Sequence, residues 1–193
     1  TGTCAACRDS VTVAVSGTEN LVYDGTGKEP GVTVTRGETA LTAGTDYTVA
    51  YTDNKNAGEN KATVAVTIGN GQGTYTGNFS IGKATLYVAP NSQTIRYGES
   101  IREGANAILT RGLATGDHVV GVTLTPDTKD VPGGKIIASE VQIQNESGAD
   151  VTGNYEITYV PGNLTIKKAD TEITVGTAAY DVDRKSVVVG KEC

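Results

Sequence analysis

The chain has 193 residues, 25 of them glycine, with one phenylalanine, no tryptophan and no methionine, so nine tyrosines supply nearly all of its large aromatic area. Its formal net charge is -6, with no basic run anywhere, which argues against nucleic acids and anionic membranes as partners, since both need clustered Lys and Arg. No apolar stretch approaches the roughly 20 residues of a membrane span, and no secretion signal is visible from Thr1 onward.

Residues 1–9 have no periodicity and read as a ragged lead-in. Val11 to Val15 then alternates apolar and polar residues, as a half-buried strand does. Leu21-Val22-Tyr23 is a short strand running into Asp24-Gly25, a turn pair whose glycine accepts positive φ. Strands follow at Val32–Thr35 and at Tyr47–Tyr51, the latter with Tyr47, Val49 and Tyr51 on one face. A turn cluster from Asp53 to Asn60 leads into Ala62–Ile68, the return arm of a hairpin, which Gly69 to Gly73 ends.

Beyond Leu86-Tyr87-Val88 and Ile95-Arg96-Tyr97-Gly98, the spacing of Ile101, Ala105, Ile108 and Leu109 fits a helix. Gly104 lies inside that stretch and costs about 1 kcal/mol in a helix relative to Ala, so an irregular strand fits as well. Gly112 to Asp117 is a turn, and strands are expected at Val119–Leu124, Ile136–Ile143 and Tyr155–Tyr159. Ile173-Thr174-Val175 and Ala179-Tyr180-Asp181 open a further alternating stretch, which residues 183–193 do not continue. That last segment reads as the translated read-through of a sequencing adapter and carries no weight for the fold.

The decapeptide Gly77-Asn78-Phe79-Ser80-Ile81-Gly82-Lys83-Ala84-Thr85-Leu86 returns 85 positions later as Gly162-Asn163-Leu164-Thr165-Ile166-Lys167-Lys168-Ala169-Asp170-Thr171. Self-similarity at fixed spacing marks an array of modules. It predicts a mainly β chain with little or no helix: two small tandem modules, β-grasp-like or β-sandwich-like, joined end to end at residues 10–83 and 84–168, with residues 169–182 starting a truncated third. The joints fall at Ala84-Thr85 and Lys168-Ala169, without a Gly/Ser/Pro-rich linker, so neighbouring modules are expected in semi-fixed orientation. Repeat-like sequence at both ends suggests a piece of a longer protein.

Three clusters in the first module, Tyr23-Asp24-Gly25, Gly44-Thr45-Asp46-Tyr47-Thr48-Val49 and Asn56-Ala57-Gly58, resemble the bacterial surface repeats called YDG-type modules. The second module resembles an MBG domain of the YGX type (mostly bacterial β-grasp). The residues that carry this are Tyr97-Gly98-Glu99, Gly112-Leu113-Ala114-Thr115-Gly116-Asp117, and Asn154-Tyr155-Glu156-Ile157-Thr158-Tyr159 leading into Gly162-Asn163-Leu164-Thr165-Ile166. One departure is Lys135-Ile136-Ile137, where that family usually places an aromatic. The resemblance covers residues 10–170 and implies tandem, non-catalytic modules of large exported adhesins, on the bacterial cell surface or secreted.

The reactive residues make a thin inventory. Cys4-x-x-Cys7 has the spacing of a redox or zinc pair, yet zinc wants four ligands and only His118 and Cys193 remain. His118, the single histidine, stands beside Asp117 at a turn, with no Gly-x-Ser-x-Gly elbow in the chain. Asp127 with Asp130, and Asp46 with Asp53 and Glu59, lack the regular acidic spacing of a calcium loop and read as solvated turns. Asn78-Phe79-Ser80 and Asn163-Leu164-Thr165 match the glycosylation pattern, but their recurrence at one point of the repeat explains them structurally. Lys83 and Lys168 hold equivalent places and would need burial beside a carboxyl to form a covalent cross-link. Tyr47, Tyr51, Tyr155 and Tyr159 serve either as core or as an exposed platform, and their in-phase alternation favours core.

The expectation is therefore a spacer or stalk segment, not an enzyme, with no catalytic, cofactor-binding or metal residues to assign. Its partners would be neighbouring modules of the same chain. An adhesive module recognising host protein or polysaccharide through loops or exposed tyrosines is the alternative.

Overall fold

The computed structural model describes residues 10–69 and 73–169, and it is mainly β, with no α-helix among the described residues. In the first half, β1 (Val11–Ser16), β2 (Gly31–Arg36) and β3 (Thr39–Ala40) form one antiparallel sheet. β4 (Tyr47–Thr52), β5 (Gly58–Ile68) and β6 (Gly73–Ile81) form another. Alternation decides which face is buried. Ala62, Val64, Val66 and Ile68 of β5 turn inward with Phe79 and Ile81 of β6, while the residues between them face outward or lie half-buried.

The second half has two mixed sheets built from β7 (Ala84–Pro90), β8 (Gln93–Arg96), β9 (Ile108–Arg111), β10 (His118–Pro126), β11 (Gly133–Gln144), β12 (Tyr155–Tyr159) and β13 (Gly162–Lys167). Their orders are β10-β11-β13-β8 and β12-β7-β9. Leu86, Val88, Ile136, Ile143, Leu164 and Ile166 fill the space between them. Every ladder among the described residues joins strands on the same side of Gly82-Lys83.

The first six residues of the repeated decapeptide take matching strand neighbours in both copies. β6 pairs antiparallel with β5, and at its end Gly82 forms a parallel bridge to Val22. β13 pairs antiparallel with β11 and parallel with β8. Phe79 and Ile81 are buried, and so are their counterparts Leu164 and Ile166. The repeat therefore marks one structural position: the closing strand, held between an antiparallel and a parallel neighbour.

Several expectations need correcting. Residues 101–109 form no helix; a 3-10 turn at Ala105–Ala107 runs straight into β9. The side chain of Gln93 takes the place of a strand partner there, accepting from Arg102 N–H at 2.7 Å and donating to Arg102 O at 2.9 Å. Leu21–Tyr23 makes a single parallel bridge rather than a full strand. Strand β5 starts at Gly58, inside the expected turn, with irregular register up to Ala62. Ala84-Thr85 already belongs to β7, so the passage between halves is Gly82-Lys83 alone. Among the in-phase tyrosines, Tyr47 and Tyr155 are buried, Tyr51 is half-buried, and Tyr159 is exposed.

Candidate functional site: an interlock between the halves

The second half begins where β7 lies parallel to β12, with Ala84 opposite Tyr155. That register brings the Tyr155 ring to the end of the first half. Tyr23 comes from the other side: its N–H donates to Gly82 O at 2.9 Å, and Gly82 N–H donates to Leu21 O at 2.8 Å. The two rings meet edge to face, with centroids 5.4 Å apart and planes at 81°. Such a pair adds about 0.5–1.5 kcal/mol to the burial of its area. Tyr23 is 2 % exposed, which makes it one of the most buried aromatic rings in the molecule.

Both hydroxyls reach one oxygen. Tyr23 O–H donates to Asp117 Oδ2 at 2.8 Å, and Tyr155 O–H donates to the same atom at 2.5 Å. Tyr155 Oη also accepts from Ala114 N–H at 3.0 Å. Asp117 closes the turn after β9, where its own N–H donates to Ala114 O at 3.1 Å. Hydrogen bonds onto a carboxylate are among the strong ones. Burial, reinforced by the bond to Asp117, pushes the Tyr23 phenol up to about 12. The same two causes raise Tyr155 further. Both therefore stay protonated donors at neutral pH.

A second contact lies beside the first. Asn154, 6 % exposed, accepts from Ala57 N–H at 2.9 Å and donates to Asn56 Oδ1 at 3.0 Å. A buried amide needs such partners, because each unmet polar atom costs about 1–3 kcal/mol. Asn154 ends the 3-10 turn Thr152–Asn154, which the Thr152 hydroxyl ties to β11 by accepting from Ile143 N–H at 2.8 Å. Gly25 makes a third contact. Its φ is 84°, and a Cβ there would stand 2.9 Å from Thr115 O. Both its conformation and its closeness to the opposing backbone require glycine.

The first-half side is braced internally. Asp24 Oδ1 accepts from the N–H and hydroxyl of Thr26, at 2.9 and 2.6 Å, and Asp24 pairs with Lys28. The Lys28 bond and those to Thr26 hold the Asp24 carboxyl down at about 2. Lys28 N–H donates to Asn54 O, and Asn54 Nδ2 donates to Lys28 O, both at 2.8 Å. The loop after Tyr23 and the turn bearing Asn56-Ala57 thus form one piece.

The residues weighed for chemistry lie elsewhere. His118 is exposed at the start of β10, opposite Gln144, and its neighbour Asp117 is engaged by the tyrosines. Asp46 Oδ2 accepts from Thr42 N–H at 2.7 Å, and Asp127 Oδ1 accepts from Lys135 N–H at 2.8 Å, both closing turns. Asp53 has φ 52° in a tight turn, Glu59 is exposed on β5, and Asp130 O accepts from Gly133 N–H. Among the described residues, no three of His, Cys, Asp and Glu gather as a metal would require. Lys83 and Lys168 are both exposed, without the burial that a covalent cross-link needs. Asn78 and Asn163 are exposed too; Asn163 Oδ1 accepts from Lys135 Nζ at 2.6 Å. Cys4, Cys7, Cys193 and the stretch 170–193 lie outside the described residues, as do positions 70–72 of the Gly69–Gly73 turn.

Chemical type alone does not single out Tyr23, Asn56, Asp117 or Asn154, because none belongs to a reactive set. Each lies in one of the short, turn-rich clusters Tyr23-Asp24-Gly25, Asn56-Ala57-Gly58, Gly112 to Asp117 and Asn154-Tyr155, which meet here across the passage between halves. The sequence matches no family model, and no curated protein or solved structure shows significant similarity to it.

Proposed function

We propose that this segment is a non-catalytic spacer of a large bacterial surface or secreted adhesin-like protein. In this reading, residues 10–83 and 84–168 are YDG-like and MBG-like modules held in one fixed relation. The observation that carries the reading is the Asp117 carboxylate accepting the hydroxyls of Tyr23 and Tyr155, one from each side of Gly82-Lys83. A joint whose bonds cross the passage and exclude water transmits orientation, and a passage of two residues leaves little slack. The acidic, Thr-rich exterior suits a solvated stalk outside the cell.

Residual dipolar couplings measured by NMR on the aligned protein test this directly. Both halves should fit a single alignment tensor, and Tyr23→Ala should split it into two. Separate tensors in the unmodified chain would mean that the halves swing independently, and the spacer reading would fail.

The adhesive alternative draws on the outer face of β7 and β9, where Tyr87 and Leu109 are both exposed. Saturable binding in a glycan or matrix-protein screen, lost on Tyr87→Ala, would favour it.

A further inference from the structure

The strand plan that the halves share also fixes a counterpart for Tyr23. In the first half, Val22 bridges Gly82 and Tyr23 N–H donates to Gly82 O at 2.9 Å. In the second, Arg96 is the parallel partner of Lys167, and Tyr97 N–H donates to Lys167 O at 2.8 Å. Gly82 and Lys167 are the same position of the repeated decapeptide, 85 residues apart. Tyr97 therefore stands to the end of β13 as Tyr23 stands to the end of β6.

Their surroundings differ in one respect. Tyr23 is 2 % exposed beneath the second half, whereas Tyr97 is 55 % exposed. The next apolar position of the repeat tells the same story: Ala84 is buried by the half it opens, and its counterpart Ala169 is exposed. An aromatic ring and an alanine whose counterparts are both covered lie open together, at the end where the chain continues.

Resting on the spacer reading, we infer that Tyr97 is one member of a second interlock, a docking knob for a module that continues from Ala169. The shared register specifies that occupant. A strand leaving Ala169 as β7 leaves Ala84 would lie beside a β12-like strand, whose tyrosine meets the Tyr97 ring. A turn aspartate of the same module then accepts both hydroxyls. The occupant is thus a β module of the second-half kind, carrying the equivalents of Asp117 and Tyr155; among its described residues, the first half has no strand in the place of β12. The knob is not an exact copy, since glycine comes one residue earlier at Gly98, with φ 90°. The dock consists of ring and hydroxyl, without the backbone approach made at Gly25.

The test extends the chain with a second copy of residues 85–169, carrying Tyr97→Phe in that copy, placed directly after Ala169, and measures tyrosine nitration by peptide mass spectrometry. Tyr97 should nitrate readily without the added copy and drop to the level of Tyr23 with it. Asp117→Ala in the added copy should restore its reactivity. If Tyr97 stays as reactive in the extended chain while Tyr23 is protected, the second interlock is wrong and the spacer reading stands. If Tyr23 is itself reactive, the template is absent in solution and both ideas fall. Protection of Tyr97 that survives the aspartate substitution overturns the aspartate-centred dock.

Discussion

Around β6 and around β13 the two halves lay out the same ladder: an antiparallel hairpin, the closing strand, then a parallel neighbour. They part company at β12, which the second half inserts between β11 and β13 and pairs parallel to its opening strand. That strand brings Asn154 and Tyr155, the residues that receive the first half. One inserted strand turns a plain closing-strand module into one with a socket. The difference is local, so substitutions at equivalent places should separate the halves sharply.

The sharpest separation is between the two tyrosines. Tyr23→Ala removes a buried ring and should lower unfolding free energy in urea by about 3–5 kcal/mol. Tyr97→Ala, at the matching exposed position, should stay within about 0.5 kcal/mol. Equal losses would mean that the two rings share the same surroundings in solution, and the contrast between a covered and an open site would fail. Next comes Asp117→Ala, which leaves two hydroxyls without their acceptor and should cost about 2–3 kcal/mol in the same titration. His118→Ala, one residue on but exposed, should be silent by comparison.

Within the interlock the smallest loss at neutral pH is that of Tyr23→Phe, about 1 kcal/mol for one hydrogen bond. Its pH dependence is more telling. The folded phenol is raised from 10.0 to about 12, so the folded state holds its proton more tightly than the unfolded state does. The stability it contributes is complete below pH 10.0 and disappears as pH rises through about 12. The gap between the unmodified protein and Tyr23→Phe should therefore be constant up to pH 10.0 and close above it. Thermal melts across that range would show it, and a gap that closes on acidification instead would contradict the assignment.

Alternation made the strands legible: β5, β10, β11 and β13 lie where apolar residues recur at every second position. The Asp24-Gly25 turn was readable for a local reason too, since Gly25 does take positive φ. The stretch around Ile101 and Ile108 was not. Its helical spacing was overridden by the Gln93 amide, which occupies Arg102's backbone groups, and by Gly104 at φ 84°. The interlock could not be read from local pattern either, because Tyr23 and Asp117 are 94 positions apart. Similar sequence even misleads here. Tyr47-Thr48-Val49-Ala50-Tyr51 and Tyr155-Glu156-Ile157-Thr158-Tyr159 look alike, but β4 pairs antiparallel with β5, whereas β12 runs parallel to β7.

In the second half, both strands through which the chain enters and leaves are interior. β7 is flanked by β12 and β9, and β13 by β11 and β8. Among the described residues, β1 of the first half has a neighbour on one side only, β2. Tension applied through the chain would load the rungs beside β7 and β13 in shear, many at once, whereas β1 could peel away from a single neighbour. Stretched between its ends in a single-molecule force experiment, the molecule should therefore give up residues 10–83 first and residues 84–168 at higher force. The reverse order would show that hydrogen-bond geometry does not govern its mechanical strength.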